Sequence, residues 1–426
     1  MDSNQDIIRG LSHIEEALTI SNDAYPLCVV CVLHLANGPE INVIEAGLAQ
    51  LQGRHPLLQA SISKIKGRFY FKKLNPIQKL ELIVVEREEA TTFQTIAEQA
   101  LNTTFAKTGP LMKCWYLPNP EKGLCKLIVC FHHAIIDGTS ARLLLHELLS
   151  LLGKVALPEA PPMVSPKFPS ALRGHRLLKW ILTFGGRQLK EEWNYKRKGL
   201  TSPIPVESRN ATLSFKLSSA TSRRLSVRAG RAGLSMNSIL LAAITLALCR
   251  HRHEIQGTRR VRAISFADLR SSLVPPLSRY ELGCYISMMR LDVPFTLDQS
   301  VWQLAEHIRS AIFKASRRGE VLLMAIMSKY LFKMALLLRN TRLGVSGLSF
   351  IGTLDLKPQY GTICLQHVEA FITNNCFGPE FSAFGKVLFG CISLDFTYLP
   401  SEMGPGQARQ IMENIKEILE NIANSP

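Results

Sequence analysis

Acidic residues are scarce in this chain of 426 residues: 34 Asp and Glu stand against 50 Lys and Arg, a formal net charge of +16. No Arg-rich arm, zinc-finger spacing or aromatic RNA-binding signature accompanies the positive charge, so nucleic acid is not an expected partner. Met1 to Gly10 lacks the basic start and apolar core of a secretory leader. Long apolar runs are missing too. The longest candidate, Val321 to Leu338, is interrupted by Ser328, Lys329 and Lys333, so no membrane-spanning helix is expected. Cys28 and Cys31 have C-x-x-C spacing within a Val-rich strand, LCVVCVL. No second Cys or His pair stands near them, and no metal site is expected. The ten cysteines are scattered among apolar segments, as small buried hydrophobes are in a reducing compartment. A cytoplasmic protein is the first expectation and a membrane-peripheral one the second.

What is present is an ordinary globular composition, 46% hydrophobic and 20% charged. The length suggests two domains. Expected boundaries are 1–156, a Pro-rich linker with a basic helix over 157–205, and 206–426. Asn42 to Gln52 reads as a helix, and Lys66-Gly67 as a hairpin turn before RFYFKKL. Ala90 to Asn102 reads as a helix. Met112 to Leu117 and Lys126 to Phe131 read as strands, and Thr139 to Leu152 as a helix. The second half opens on a strand at Ala211 to Leu217. Ser235 is a candidate N-cap for an apolar helix through Leu248. A strand over Val261 to Ala267 and another through Val293 follow, then helices near 298–316 and 320–338, late strands, and a closing helix over Gly406 to Ile422. The apolar stretch from Val321 is first a packing signal, with an acyl tunnel as the alternative. In 173–198 basic residues far outnumber the two glutamates and interleave with Leu, Trp, Ile and Phe. A helix bridging the two halves is the first reading, because Gly185-Gly186 interrupts the pattern; a membrane-surface helix is the second.

The stretch that carries most information is His132-His133-Ala134-Ile135-Ile136-Asp137-Gly138. It lies between a short apolar strand and an amphipathic helix, a turn where rigid elements can fix a side chain. A histidine there, uncharged near neutral pH, can take a proton from a hydroxyl or amine. Asp137 can also simply cap the helix that follows it.

The pattern H-H-x-x-x-D-G resembles the active-site motif of the chloramphenicol-acetyltransferase-like superfamily, which includes peptide-synthetase condensation domains and phthiocerol dimycocerosyl transferase-type acyltransferases. Further stations match in order: Arg54-His55-Pro56-Leu57-Leu58, Gly109-Pro110-Leu111, Gly233-Leu234-Ser235, Asp268-Leu269-Arg270 and Leu282-Gly283-Cys284-Tyr285. The pattern departs at Gln59, at Phe350 within Ser349-Phe350-Ile351-Gly352, and at Cys284; the last two bear on thioester-side contacts. The free-standing phthiocerol-type acyltransferases look closest, and the plant-type DFGWG signature is absent.

The resemblance implies an α/β fold of two chloramphenicol-acetyltransferase-like subdomains with mixed sheets and an active-site channel between them. It implies an acyltransferase that moves an acyl group from a CoA or acyl-carrier-protein thioester to an alcohol, with amide formation as the close alternative. A non-catalytic module that binds a carrier protein is a further one. His133 would be the general base. His132 would hold the turn, and Asp137 would pair with an arginine, Arg270 first and Arg54 second. Gly138 would let the backbone turn closely beneath the histidine. Ser349 would donate to the developing oxyanion. No cofactor would be permanently bound, and a monomer would suffice, because one chain supplies both halves.

Overall fold

The computed structural model describes residues 6–85, 92–118, 123–160, 162–164, 167–169, 174–200, 204, 205, 207, 209–252, 257–338 and 342–425. The expected helix start at Ala90, parts of the Pro-rich linker and the expected boundary at 206 lie outside these residues.

The chain folds as two compact units, and neither is continuous in sequence. Unit 1 comprises Met1–Lys167, Leu273–Tyr285 and Leu354–Thr373; unit 2 comprises Phe168–Ser272, Ile286–Thr353 and Asn374–Pro426. Sequence reading placed everything after 206 in one C-terminal subdomain. Two segments of that half instead belong to unit 1, because their partners are strand and helix ends of the first half.

In chain order unit 1 begins with β1 (Ile7–Gly10), α1 (His13–Ala24), β2 (Cys28–Ala36), α2 (Ile41–Arg54), β3 (Ala60–Ile65) and β4 (Arg68–Lys73). It continues with β5 (Glu81–Val84), α3 (Phe93–Leu101), β6 (Met112–Leu117), β7 (Leu124–His132) and α4 (Gly138–Leu152). Unit 2 follows with α5 (Gly174–Lys198), β8 (Ala211–Lys216), α6 (Ser219–Arg231), α7 (Met236–Arg250), β9 (Arg259–Asp268) and β10 (Ile286–Phe295). Next come α8 (Val301–Arg317), α9 (Glu320–Leu338) and β11 (Ser346–Thr353). The chain then returns to unit 1 for β12 (Gln359–Tyr360) and β13 (Ile363–Ile372), and ends in unit 2 with β14 (Phe381–Leu388), β15 (Cys391–Tyr398) and α10 (Pro405–Asn424).

The main sheet of unit 1 has the order β12-β13-β2-β7-β6-β5. β2 and β7 lie at its centre, buried along almost their whole length. That is why both read as continuous apolar runs rather than as alternating strands. β13 pairs antiparallel with β2, matching Val29 to Ile372 and Ala36 to Cys364. A second, smaller sheet has the order β1-β4-β3. Its β3–β4 hairpin turns at Lys66 and Gly67, both with positive φ (47° and 82°), which is the two-residue connection that matches strand twist.

Unit 2 is built on a six-stranded mixed sheet, β10-β9-β11-β14-β15-β8. Helix α7 is buried on every side from Ser238 to Cys249, as a helix apolar all round must be. Ser235 caps it by accepting from Ser238 N–H at 3.2 Å. Helix α5 belongs to this unit. Its Glu192 pairs with Arg262 (3.1 Å) and Arg290 (2.9 Å), and the Arg262 guanidinium stacks on Tyr195 at 4.0 Å. The helix runs unbroken through Gly185-Gly186, where the sequence reading placed an interruption. Packing of one face overrides the low helix propensity of the two glycines.

Candidate active site

β7, a central strand, ends at His132, and His133 begins the turn that follows. At its end the amide of His132 donates to Leu111 O (2.9 Å), and that of His133 donates to Leu27 O (3.1 Å). The adjacent histidines are thus clamped from both sides before the chain turns through His133–Ile135 into α4. Both side chains are buried, at 2% and 5% exposure.

The two rings have different surroundings. His132 Nδ1 accepts from the Ala134 amide at 3.0 Å, and its ring meets Phe105 edge-on at 5.9 Å. Burial, then the neighbouring His133 and Lys107, push its pKa down to about 3. It is an uncharged acceptor that closes the turn. His133 Nδ1 lies 2.8 Å from Ile136 O. A carbonyl can only accept, so Nδ1 carries the hydrogen and Nε2 carries the lone pair. Burial lowers the His133 pKa from its ordinary value, against smaller opposing contributions from carbonyl hydrogen bonds and the Asp137 charge. The result is an imidazole that is neutral at pH 7 with its basic nitrogen defined by the backbone.

Asp137 is the N-cap of α4. Its Oδ1 accepts from Ser140 N–H (2.9 Å) and its Oδ2 from Tyr285 N–H (2.8 Å). The carboxylate therefore ties the start of α4 to the 282–285 segment, and it is 2% exposed. Ser140 strengthens the same tie, donating from Oγ to Gly283 O (2.8 Å) and accepting from Gly283 N–H (3.2 Å). Gly283 has φ +154°, and a Cβ there would lie 2.7 Å from the Tyr285 ring. Cys284 follows, fully buried, with Sγ 4.0 Å from His133 Nδ1. Gly138 is the first residue of α4.

Arg54, the second candidate for Asp137, has a different partner. Its Nε and Nη2 lie 3.1 and 3.2 Å from Glu147 of α4, and His55 Nε2 lies 2.7 Å from the same carboxylate. These donors hold the Glu147 pKa down to about 2, against the opposing effect of burial. The Arg54-His55 station thus anchors α2 to α4.

Arg270 and Ser349 belong to unit 2. Arg270 starts a short 3-10 turn after β9, and its Nη1 lies 3.1 Å from Asp268. Ser349 lies in β11, in register with Phe384 of β14. Sequence reading missed Ser140, the Tyr285 amide and Glu147. Ser140 stands three residues after an N-cap, where the capped amide belongs. Glu147 within LLLHELLSLL is a charge that needs a partner. Among the described residues, no group of His, Cys, Asp and Glu could hold a metal ion.

Residues 207–376 match the family described as phthiocerol/phthiodiolone dimycocerosyl transferase C-terminus. A trichothecene 15-O-acetyltransferase from Fusarium sporotrichioides superposes with a TM-score of 0.76 at 11% identity, over 97% of this chain and 95% of that one. The chain has the fold of the chloramphenicol-acetyltransferase-like condensation and acyltransferase superfamily. Polyketide synthase associated protein 5 from Mycobacterium tuberculosis shares it, with a TM-score of 0.70 at 14% identity over 98% and 99% of the two chains. So does the first condensation domain of the calcium-dependent antibiotic synthetase (0.73, 15%, 98% and 97%). In sequence, a linear gramicidin synthase polypeptide of Brevibacillus parabrevis is 23% identical over 288 residues, 61% of this chain. Malpinin synthetase of Mortierella alpina is 28% identical over 170 residues, 38% of this chain. The aligned parts are only 4% and 2% of those two proteins.

Proposed function

We propose that this protein is an acyltransferase that moves an acyl group from a CoA or carrier-protein thioester to a hydroxyl acceptor. The observation that carries the reading is the His133 Nδ1–H bond to Ile136 O at 2.8 Å, which leaves Nε2 as a free base in a buried, neutral ring. Nε2 takes the acceptor hydroxyl proton as the oxygen attacks the thioester carbonyl. The tetrahedral intermediate then expels sulfur as the C–S bond breaks, and the imidazolium returns its proton to the thiolate. Ester and free thiol are the products, with no acyl-enzyme. Asp137, holding the Ser140 and Tyr285 amides, would brace the turn rather than enter the chemistry.

Amide formation is the second reading. The relatives named as a linear gramicidin synthase and a malpinin synthetase favour it, and an amine can replace the hydroxyl without changing the base.

The test is acceptor-dependent thiol release with a panel of acyl-CoA and acyl-carrier-protein thioesters, alcohols and amines, with His133→Ala alongside. Release with wild type and none with the variant, whose circular dichroism is unchanged, supports acyl transfer. Tight carrier-protein binding without release from any thioester would overturn it in favour of a binding module.

A further inference from the structure

Helix α5 has two apolar sides. One packs into unit 2 through Phe184 and Tyr195, both about nineteen-twentieths buried. The other faces water. Leu178, Leu182, Leu189 and Trp193 follow one another at spacings of four, seven and four, which places them on one stripe of a helix. Their exposures are 58%, 67%, 74% and 68%. Gly185 and Gly186 lie between the two pairs, and a Cβ on either would meet nothing within 4 Å.

The charges on this helix are sorted as sharply as its apolar residues. Glu192 turns inward to Arg262 and Arg290. Glu191 is half-buried and accepts from Gln188 (3.2 Å). Lys179, Lys190 and Arg197 are exposed and fall along one border of the stripe, while exposed Lys196 and Lys198 close its C-terminal end. Helix α9 is joined to α5 by the Arg187–Glu320 ion pair. It carries its own exposed Tyr330, Met334 and Leu337, at helical spacing with exposed Lys333.

We propose that the outer face of α5 is a membrane-interface surface that docks on bilayers bearing anionic lipid. An apolar stripe bordered by Lys and Arg, with Trp193 at its C-terminal end, suits a helix lying in the headgroup plane. The flanking cations choose the lipid: their field is attractive only to a negatively charged leaflet. Charge complementarity therefore selects an anionic bilayer over a second copy of this chain, whose net charge of +16 would be repelled. No single described helix is long and apolar enough to cross the membrane, so the contact is peripheral.

The experiment is co-sedimentation of the full chain with vesicles of phosphatidylcholine alone or mixed with phosphatidylglycerol. Three proteins are compared: wild type, Leu182→Ser/Leu189→Ser, and Lys179→Gln/Lys190→Gln/Arg197→Gln. Wild type should bind the anionic vesicles with a blue-shifted tryptophan emission, and less so at high salt. The charge variant should lose roughly 100-fold in partition to anionic vesicles. The leucine variant should bind neither vesicle. All substituted side chains are exposed, so melting temperature and thiol release with soluble substrates should stay at wild-type values. Absence of wild-type binding, or binding equal in all three proteins, overturns the proposal. A wild-type dimer in solution that the leucine variant abolishes, without vesicle binding, would assign the face to a second copy instead.

Discussion

Replacing Asp137 with alanine separates bracing from chemistry. The carboxylate caps α4 through Ser140 N–H and satisfies the buried Tyr285 N–H. Loss of an N-cap costs about 1 kcal/mol, and a buried amide left without an acceptor costs about 1–3 kcal/mol. The turn should therefore lose roughly 2–4 kcal/mol of local stability. At about 1.4 kcal/mol per decade, the protecting equilibrium for these amides weakens roughly 30- to 1000-fold. Hydrogen exchange of peptides covering 138–152 and 282–287 reads this directly. Asp137→Ser supplies the internal control, since serine is a good N-cap with too short a reach for Tyr285. Its Ser140 amide should stay protected while the Tyr285 amide exchanges fast. If Asp137→Ala kept both amides at wild-type protection yet abolished transfer, the bracing account would be wrong and the carboxylate would belong to the chemistry.

Gly283→Ala should destabilise unit 1 by roughly 1–3 kcal/mol, because φ is +154° and the new Cβ would meet the Tyr285 ring at 2.7 Å; thermal denaturation reads the shift. Glu147→Ala should cost roughly 3–5 kcal/mol by leaving His55 and Arg54 without their shared acceptor, measured as a lowered urea midpoint. His132 should make the fold acid-sensitive. Its folded pKa of about 3 lies below the ordinary 6.5, so the unfolded chain takes up a proton that the folded chain refuses. Stability is full above pH 6.5 and declines as pH falls toward 3, by about 2 kcal/mol between pH 6.5 and 5. Urea midpoints for His132→Gln should fall less steeply over that interval than those of wild type; equal slopes would contradict the assignment.

The local parts of the site were legible in the sequence because each is a short-range pattern. The strand KLIVCF, the helix from Gly138, the Lys66-Gly67 hairpin and the Ser235 cap all follow from periodicity and turn chemistry within about ten residues. What stayed hidden depends on distant pairing. Nothing local in ICLQHVEAFI says that β13 joins β2 in the first half's sheet. Nor does Tyr285 announce that its backbone amide, rather than its ring, meets Asp137. Arg54, the second candidate for Asp137, bonds Glu147: an arginine in sequence shows its charge but not which of several acids it reaches. The two glycines of α5 interrupt the pattern in sequence, but the helix runs through them because its packed face, invisible to local propensity, holds it.

The most direct test of the account is the pH dependence of kcat/KM for wild type and His133→Ala, once a substrate pair is in hand. The account predicts a wild-type acid limb lying below 6.5, since burial lowers the His133 pKa and only the neutral ring can act as base. It predicts a variant slower by roughly 100- to 10,000-fold with that limb gone. A variant that transfers at near wild-type rate, or retains the same acid limb, would contradict the claim that His133 is the base.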